Sequence, residues 1–597
     1  MSKKVWSIST TLRNPERTRD FLITLSEMEG KVWEPETQCE FQIRLIKNRF
    51  YGTESSQFLK TLSEKSKSIM ENLTRELTYT EAEEIFYEKE YEEPAMRGRT
   101  SFAPLKELGL ARIRNNKIEI TDYGRLLMKD NYDLGEFFFK SFLKWQYPNK
   151  MTAGFNDGYN IKPFIGVLHL IKKVNKLWSE KGNNPVGINK QEFSIFALSL
   201  INFNDIDKWA EELILFRENL KKTEGEAEKR KFVKEYIEVF LAEYVNREHI
   251  EDYTDNAIRY FRLTRYFYIR GNGYYFDIEP RRMIEIDKIL ETWNGEIDSF
   301  TNKKEYEDYI ADVQMPKLPW EDIDNLSNIK IELIGENNKI LESLGRNIIE
   351  MDFTLDLNII KNQIEQLREI KKDLNIELQK QEFSQIEKID EIITSLTNIR
   401  KLEIKPSIAL EKWTTTALNV INDAIKISPN YPVGDDSEPT FTAPANKPDI
   451  ECFYESFNSI CEVTMLTGRD QWFNEGQPVM RHLRDFEDKS KNEENYGIFI
   501  APTLHRDTLN TFWNSVKYEY EGEKQKIVPF TIKDIIEILN IIKEFKSKGK
   551  RFEHLFLKEL LDSITESVNQ LKSASEWESK IKELIKHWNN KHLQIIA

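Results

Sequence analysis

The clearest alternation of apolar and polar positions falls at residues 111–120, where ARIRNNKIEI turns on Asn115-Asn116. That pair suits the two left-handed positions of a type I′ hairpin turn. Before it, RTSFAPLKELGL (99–110) reads as a short helix stopped by Gly109. After it, TDYGRLLM opens a helix with Thr121 or Asp122 as N-cap. Helix, hairpin, helix is the order of a winged helix-turn-helix unit. A second such pattern lies in 253–290: YTDNAIRYFRLTRYFYIR is helical in its first part, and YIRGNGYYFDI is a hairpin turned by Gly271-Asn272-Gly273. Residues 133–247, between the two, read as mostly helical.

From about 320 to 405 the spacing changes. No proline occurs between Pro319 and Pro406, and IIKNQIEQLREIKKDLNIELQK carries Ile and Leu at helical intervals with Lys and Glu between. This predicts amphipathic helices acting as a connector. Beyond Pro406, SIALEKWTTTALNVIND is helical, and SPNYPVGDDSEPTFTAPANKP (428–448) reads as a Pro-rich loop. Strand signals follow at 449–455 and 459–465, then a helix from about 470 to 490, the strand YGIFIAP, a helix near 506–516, the strand IVPFTI and a helix from 532. That order predicts a small α/β domain with a mixed sheet. The whole reads as an α+β multidomain chain. Winged-helix-like units occupy 1–145 and 146–315, a helical linker 316–400, and the C-terminal α/β domain 401–597.

With 597 residues the chain is too long for one core, and 40% hydrophobic with 31% charged residues is an ordinary globular composition. No apolar run approaches the roughly 18 residues of a membrane span. MSKKVWSISTTLRNPERTRDF lacks an apolar signal core, so a cytoplasmic protein is expected. Cys39, Cys452 and Cys461 are too few and too scattered for a disulfide framework or a zinc site. GxxxxGK[ST] does not occur, so no ATP-driven motor is expected. HWNNKH (587–592) sits in a terminal helical stretch without a hairpin and reads as surface.

The chemistry concentrates in NKPDIECFYESFNSICEVTMLTGRDQWFNE, residues 446–475. Asp449 opens one predicted strand, Glu462 lies inside the next, and Glu475 follows on the helix. Like charges aimed together in an apolar setting are costly unless a cation compensates them. Either these acids point into water from edge strands, or they hold a metal. Two carboxylates suit Mg²⁺, which takes oxygen ligands and keeps several waters. Asp449 and Glu462 stand thirteen positions apart, which resembles the PD-(D/E)xK nuclease pattern, but Glu462-Val463-Thr464 puts Thr in the place of its Lys.

Longer strings are more specific. EVTMLTGRDQWFNEGQPVMRH with NKPDIECFYE, together with LEKW (410–413), LKWQYP (143–148), RYFRLTRYFYIRGN (259–272) and FIAP (499–502), resembles the AlwI-type family of type IIS restriction and nicking endonucleases. The resemblance implies a Mg²⁺-dependent cut a few nucleotides outside a short asymmetric DNA site, leaving a 5′-phosphate. It implies Asp449, Glu462 and the Val463 carbonyl as metal ligands. Glu475 would orient or deprotonate water in place of the Lys, and Glu411 would complete the acid site from the preceding helix. A solvated helix acid is the alternative for Glu411, and a solvated loop acid for Glu475. Arg481 and His482 could face phosphate or form an exposed helix pair. One acid site serves one strand, so double-strand cutting would need a transient homodimer or a small nuclease subunit.

Net charge is −15, so any DNA contact must rest on local basic surfaces. Arg259, Arg262 and Arg265 recur every three residues and are expected near one helical stripe, with Arg270 at the hairpin. Tyr260, Phe261, Tyr266 and Phe267 interleave them and are expected to pack inward. Arg97 and Arg99 precede the first unit's helix, Arg112, Arg114 and Lys117 decorate its hairpin, and Arg13, Arg17 and Arg19 form a third cluster. Two basic units fit asymmetric readout of duplex DNA by a monomer, with solvated charge or internal ion pairs as the alternative for each Arg. The rival reading for the whole chain is a non-catalytic winged-helix DNA-binding regulator.

Overall fold

The computed structural model describes residues 3–52, 56–73, 75–129, 132–149, 151–152, 155, 158–350, 356–382, 385–421, 423–490 and 493–596. It divides into two compact units. Met1–Ile269 with Tyr275–Leu326 form the first, and Arg270–Tyr274 with Ser327–Ala597 the second. No helix among the described residues is long and apolar enough to cross a membrane.

In the first unit the alternating segment forms its hairpin. β1 (Ala111–Arg114) and β2 (Lys117–Ile120) pair antiparallel, with Arg114 opposite Lys117. Asn115 and Asn116 take φ of 49° and 59°, the left-handed pair that a type I′ turn requires. The preceding helix, α1 (Pro94–Glu107), leaves through Gly109 at φ 74°. A Cβ on Gly109 would stand 2.7 Å from the Ile310 carbonyl oxygen, so the close approach also demands glycine. The following helix, α2 (Asp122–Leu127), starts on Thr121, whose hydroxyl accepts from Gly124 N at 3.0 Å.

The second helix-and-hairpin comprises α3 (Ile250–Leu263), with β4 (Phe267–Arg270) and β5 (Tyr275–Ile278). A two-residue strand β3 (Ile188–Asn189) completes a sheet of order β3-β5-β4. Tyr260, Phe261, Tyr266 and Phe267 are all buried, as their interleaving predicts. The Arg stripe is shorter than expected. α3 stops at Leu263, and Arg265 lies beyond it at φ 65°, a left-handed residue that ends the helix and turns the chain into β4.

In the second unit, α4 (Ile323–Ser343) and α5 (Leu357–Glu382) are the two long helices of the predicted connector. Asn337 Nδ2 donates to Leu367 O at 2.9 Å where they meet. Then come α6 (Pro406–Asn419), β6 (Lys426–Pro429), β7 (Ile450–Phe453), β8 (Asn458–Val463), α7 (Gly468–Glu487), β9 (Asn495–Ala501), α8 (Arg506–Lys517), β10 (Ile527–Thr531), α9 (Ile532–Ser547) and α10 (His554–Ser567). The five strands make one mixed sheet in the order β10-β9-β8-β7-β6. β8, β9 and β10 run parallel, joined by crossovers through α7 and α8, while β6 and β7 pair antiparallel. Ile460, Cys461, Ile498, Phe499, Ile500, Val528 and Phe530 fill its core. β6 overlaps the start of the segment read as a Pro-rich loop. Pro429, which cannot donate to a ladder, is accommodated because β6 is the sheet's edge and Pro429 its last residue.

Candidate active site at the carboxyl edge of the sheet

Four acids gather where β8 ends. Asp449 precedes β7 directly, Glu462 is the penultimate residue of β8, Glu475 lies in the second turn of α7, and Glu411 is in α6. Glu462 and Glu411 are 5% and 4% exposed, so neither is the solvated surface acid that the sequence left open. Glu475 is half-buried.

Backbone amides fix two of these carboxylates. Val463 N donates to Asp449 Oδ2 at 2.7 Å, which ties the start of β7 to the end of β8. Ala443 N, in the loop between β6 and β7, donates to Glu411 Oε2 at 2.9 Å. The loop is therefore folded over the site, which its Pro-rich sequence did not reveal. The Thr464 hydroxyl accepts from Leu466 N at 3.1 Å, and it is near enough to Glu475 to lower that carboxyl's pKa against the larger effect of burial.

The acids also perturb one another. Burial raises the Asp449 carboxyl to about 8, helped by the charges of Glu462 and Glu475. Burial, and then the Asp449 charge, lifts Glu411 to about 8. Glu462 is driven far above the carboxylate range by burial and by Glu475, and Glu475 is raised by burial. Such a group is held together against its own repulsion, the condition that a divalent cation relieves.

His482, one helical face along from Glu475 on α7, has its ring beside Glu462. Nδ1 and Glu462 Oε1 share a hydrogen bond of 2.7 Å. His482 is 9% exposed, so the surface position that both sequence alternatives assumed for it is not found, because the helical face that carries Glu475 inward carries His482 with it. Burial and the neighbouring Arg481 lower its basicity. Arg481 does face outward, with Nη2 3.4 Å from Asn446 Oδ1. The spacing of seven residues between Glu475 and His482 was the available signal for their shared face.

Among the described residues, no group of three or more His, Cys, Asp or Glu side chains is placed to hold a metal ion. What the chain offers is two carboxylates, Asp449 and Glu462, beside the Val463 backbone, with Glu475 and Glu411 near by. That donor set fits Mg²⁺, which is commonly held by one or two carboxylates and completes its shell with water and substrate oxygens.

Several of the predicted basic residues are engaged within the first unit. Arg112 binds Glu119 at 2.6 Å and Asp308 at 2.6 Å, and Arg114 binds Asp308 at 2.8 Å. Arg13 pairs with Asp252 at 2.9 Å, Arg99 with Glu93, and Arg265 with Asp133. Arg17 reaches the Phe50 carbonyl and Arg19 the Met128 carbonyl, while Arg97 lies 4.5 Å over the Tyr91 ring. Arg259 and Arg262, on α3, are exposed, and Arg270 ends β4 half-buried. For Arg13, Arg112, Arg114 and Arg265 an acid 132 to 239 residues away supplies an ion pair, so sequence spacing alone could not show that these cations are engaged.

Compared with known proteins, the chain matches the model of the AlwI restriction endonuclease family over residues 106–538. No curated protein sequence matches it. Among solved structures it is similar to the small subunit (R.BspD6I2) of the heterodimeric restriction endonuclease R.BspD6I, with 22% identity, a TM-score of 0.29, and coverage of 32% of this chain and 98% of that one. It is also similar to the BpuJ1 endonuclease binding domain, solved with pyrene- and phenanthrene-modified DNA. Here identity is 12%, the TM-score 0.31, and coverage 52% of this chain and 97% of that one.

Proposed function

The chain belongs to the AlwI restriction endonuclease family, a family of site-specific deoxyribonucleases, and on that premise we propose that it is a Mg²⁺-dependent type IIS enzyme. It binds a short asymmetric duplex sequence and hydrolyses a phosphodiester a few nucleotides outside it. Residues 1–145 and 146–315 are the recognition segments, with winged-helix-like character, 316–400 the connector and 401–597 a PD-(D/E)xK-like cleavage domain. The observation that carries the reading is the convergence of Glu411, Asp449, Glu462 and Glu475 at one sheet edge, two buried and two half-buried, each raised above its usual pKa.

In this reading Asp449 and Glu462, with the Val463 carbonyl, hold the ion. Bound Mg²⁺ would polarise the scissile phosphate and make a water more acidic. Val463 N keeps the Asp449 carboxylate turned to the site, and His482 Nδ1 does the same for Glu462. Glu475 orients the attacking water and accepts its proton. Water adds to phosphorus and the bond to the 3′ oxygen breaks, leaving a 5′-phosphate. One acid cluster treats one strand. Cutting of both strands then requires a second catalytic domain, from a transient homodimer or a small nuclease subunit, and without one the enzyme nicks.

Incubating supercoiled plasmid with the protein, with Mg²⁺ and with EDTA, tests this. Discrete fragments or relaxed circles that need Mg²⁺, lost in Asp449→Ala while specific DNA binding persists, are the expected result. Normal cutting by Asp449→Ala would overturn the site. Specific binding with no cleavage in any divalent ion would leave a DNA-binding regulator.

A further inference from the structure

The N-terminal turns of α7 and α8 stand side by side at the same sheet edge as the acid cluster. Gln471 clasps them, its Nε2 donating to Leu466 O at 3.0 Å and Thr503 O at 2.8 Å while its Oε1 accepts from His505 N at 2.8 Å. On this clasp Phe473 is 79% exposed and Trp472 44% exposed. Trp472 is held in place, with Nε1 donating to Thr511 Oγ1 at 3.2 Å and its ring lying over Gly476, where a Cβ would stand 3.2 Å from Cδ1. Phe473 projects from the same helix two residues before Glu475.

Arg469 and Asp470 lie four and three residues before Phe473 on the same helix, and a second Arg-Asp pair opens the neighbouring helix. Arg469 and Asp470 are exposed in the first turn of α7. Arg506 and Asp507, with side chains 89% and 43% exposed, open α8. Two cations and two anions sum to zero. Arg506 and Asp507 pair with each other at 3.4 Å, which leaves Arg469 and Asp470: a DNA backbone would meet Asp470 as repulsion, whereas a two-fold copy of the same patch meets Arg469 with Asp470. A rigid Trp beside a projecting Phe, flanked by polar groups, has the make-up of an interface centre.

We propose that this patch is the surface on which a second copy of the chain docks, placing a second acid cluster for the other strand. The proposal rests on the endonuclease reading above and adds to it the face used. Phe473 is the anchor, and Arg469 of each copy meets Asp470 of its mate.

The test uses the full chain on supercoiled plasmid bearing a cut site, following relaxed and linear products against protein concentration, together with sedimentation velocity with and without plasmid-derived duplex. Wild type should give linear product that rises more steeply than first order in protein, and a sedimenting dimer. Phe473→Asp should keep first-strand nicking and lower linear product and dimer by about thirtyfold, the loss of one anchor residue. Arg469→Asp and Asp470→Arg should each weaken the dimer, and the double swap should restore it. Linear product and dimer unchanged in Phe473→Asp would overturn the proposal, as would equal loss of nicking, which would make the patch a DNA contact. A monomer at every concentration would overturn it too. If wild type cuts no DNA in Mg²⁺ yet sediments as a Phe473-dependent dimer, the docking face stands and the nuclease reading falls.

Discussion

Nδ1 of His482 lies 2.7 Å from Oε1 of Glu462, joining the middle of α7 to the end of β8 inside the acid cluster. The bond orients the carboxylate while leaving Glu462 its second oxygen. Groups that orient a metal ligand in this way are usually worth about 10–100-fold in metal affinity or rate. His482→Ala should therefore weaken Mn²⁺ binding, read by calorimetry, and slow cleavage by about the same factor. His482→Asn, whose amide can donate from nearly the Nδ1 position, should recover most of both. Equal damage by the two variants would show that the ring acts by filling space.

Asp449 should be a stability liability without metal. Its folded pKa of about 8 lies above the ordinary 3.8, so folding favours the protonated form and the carboxylate costs stability increasingly as pH rises through that interval. Asp449→Asn should raise the stability of the metal-free protein at neutral pH by about 2 kcal/mol, and by less at pH near 4. Mg²⁺ should raise the thermal midpoint of the wild type and leave that of Asp449→Asn unmoved. Scanning calorimetry with and without EDTA reads both effects.

The cations of the first unit should separate into two kinds. Arg112 is paired with Glu119 and Asp308 and its side chain is 15% exposed, so Arg112→Ala should destabilise the fold by about 1 kcal/mol with little change in the salt dependence of DNA binding. Arg259 is exposed on α3. Arg259→Ala should leave stability unchanged and lower the slope of log affinity against log salt by about one, the signature of one phosphate contact.

Asp423, His554 and Ser456 form a chain at the β7–β8 turn. Asp423 Oδ2 accepts from His554 Nδ1 at 2.7 Å and from His554 N at 2.8 Å, and Nε2 lies 3.1 Å from Ser456 Oγ. The ring is stacked against Tyr454 at 5.5 Å and only 8% exposed, so it acts as a clamp fixing the start of α10 to the sheet. His554→Ala should cost about 2 kcal/mol of stability in urea, by leaving a buried carboxylate short of its donor. Cleavage rate at a temperature where the variant is folded should not change.

Glu494, at the entry to β9, is bound by Lys526 and, at 2.8 Å, by Lys558, and its pKa is lowered to about 2. A depressed carboxyl stabilises the fold above its ordinary value of 4.5 and loses that contribution as pH falls toward 2. The side chain is 35% exposed, so screening limits the effect to about 1 kcal/mol. Glu494→Gln should lower the urea midpoint at pH near 6, and the gap from wild type should narrow as the buffer is taken toward pH 3.

Local chemistry alone determined much of this protein. Asn115-Asn116 specified a turn that only left-handed residues can make, Thr121 specified a cap, and the apolar runs at 450–463 and 495–501 specified strands too hydrophobic to lie elsewhere than in a core. Asp449, Glu462, Glu475 and Glu411 were visible as candidates through their resemblance to a family pattern. Tertiary structure alone decided what surrounds them. The Ala443 amide reaches Glu411 across 32 residues, and His482 reaches Glu462 across 20. Asp308 captures Arg112 and Arg114 from nearly two hundred residues away. Helix and turn preferences act over a few residues and leave their mark on spacing, whereas these pairings follow from packing faces whose partners the chain places far apart in sequence.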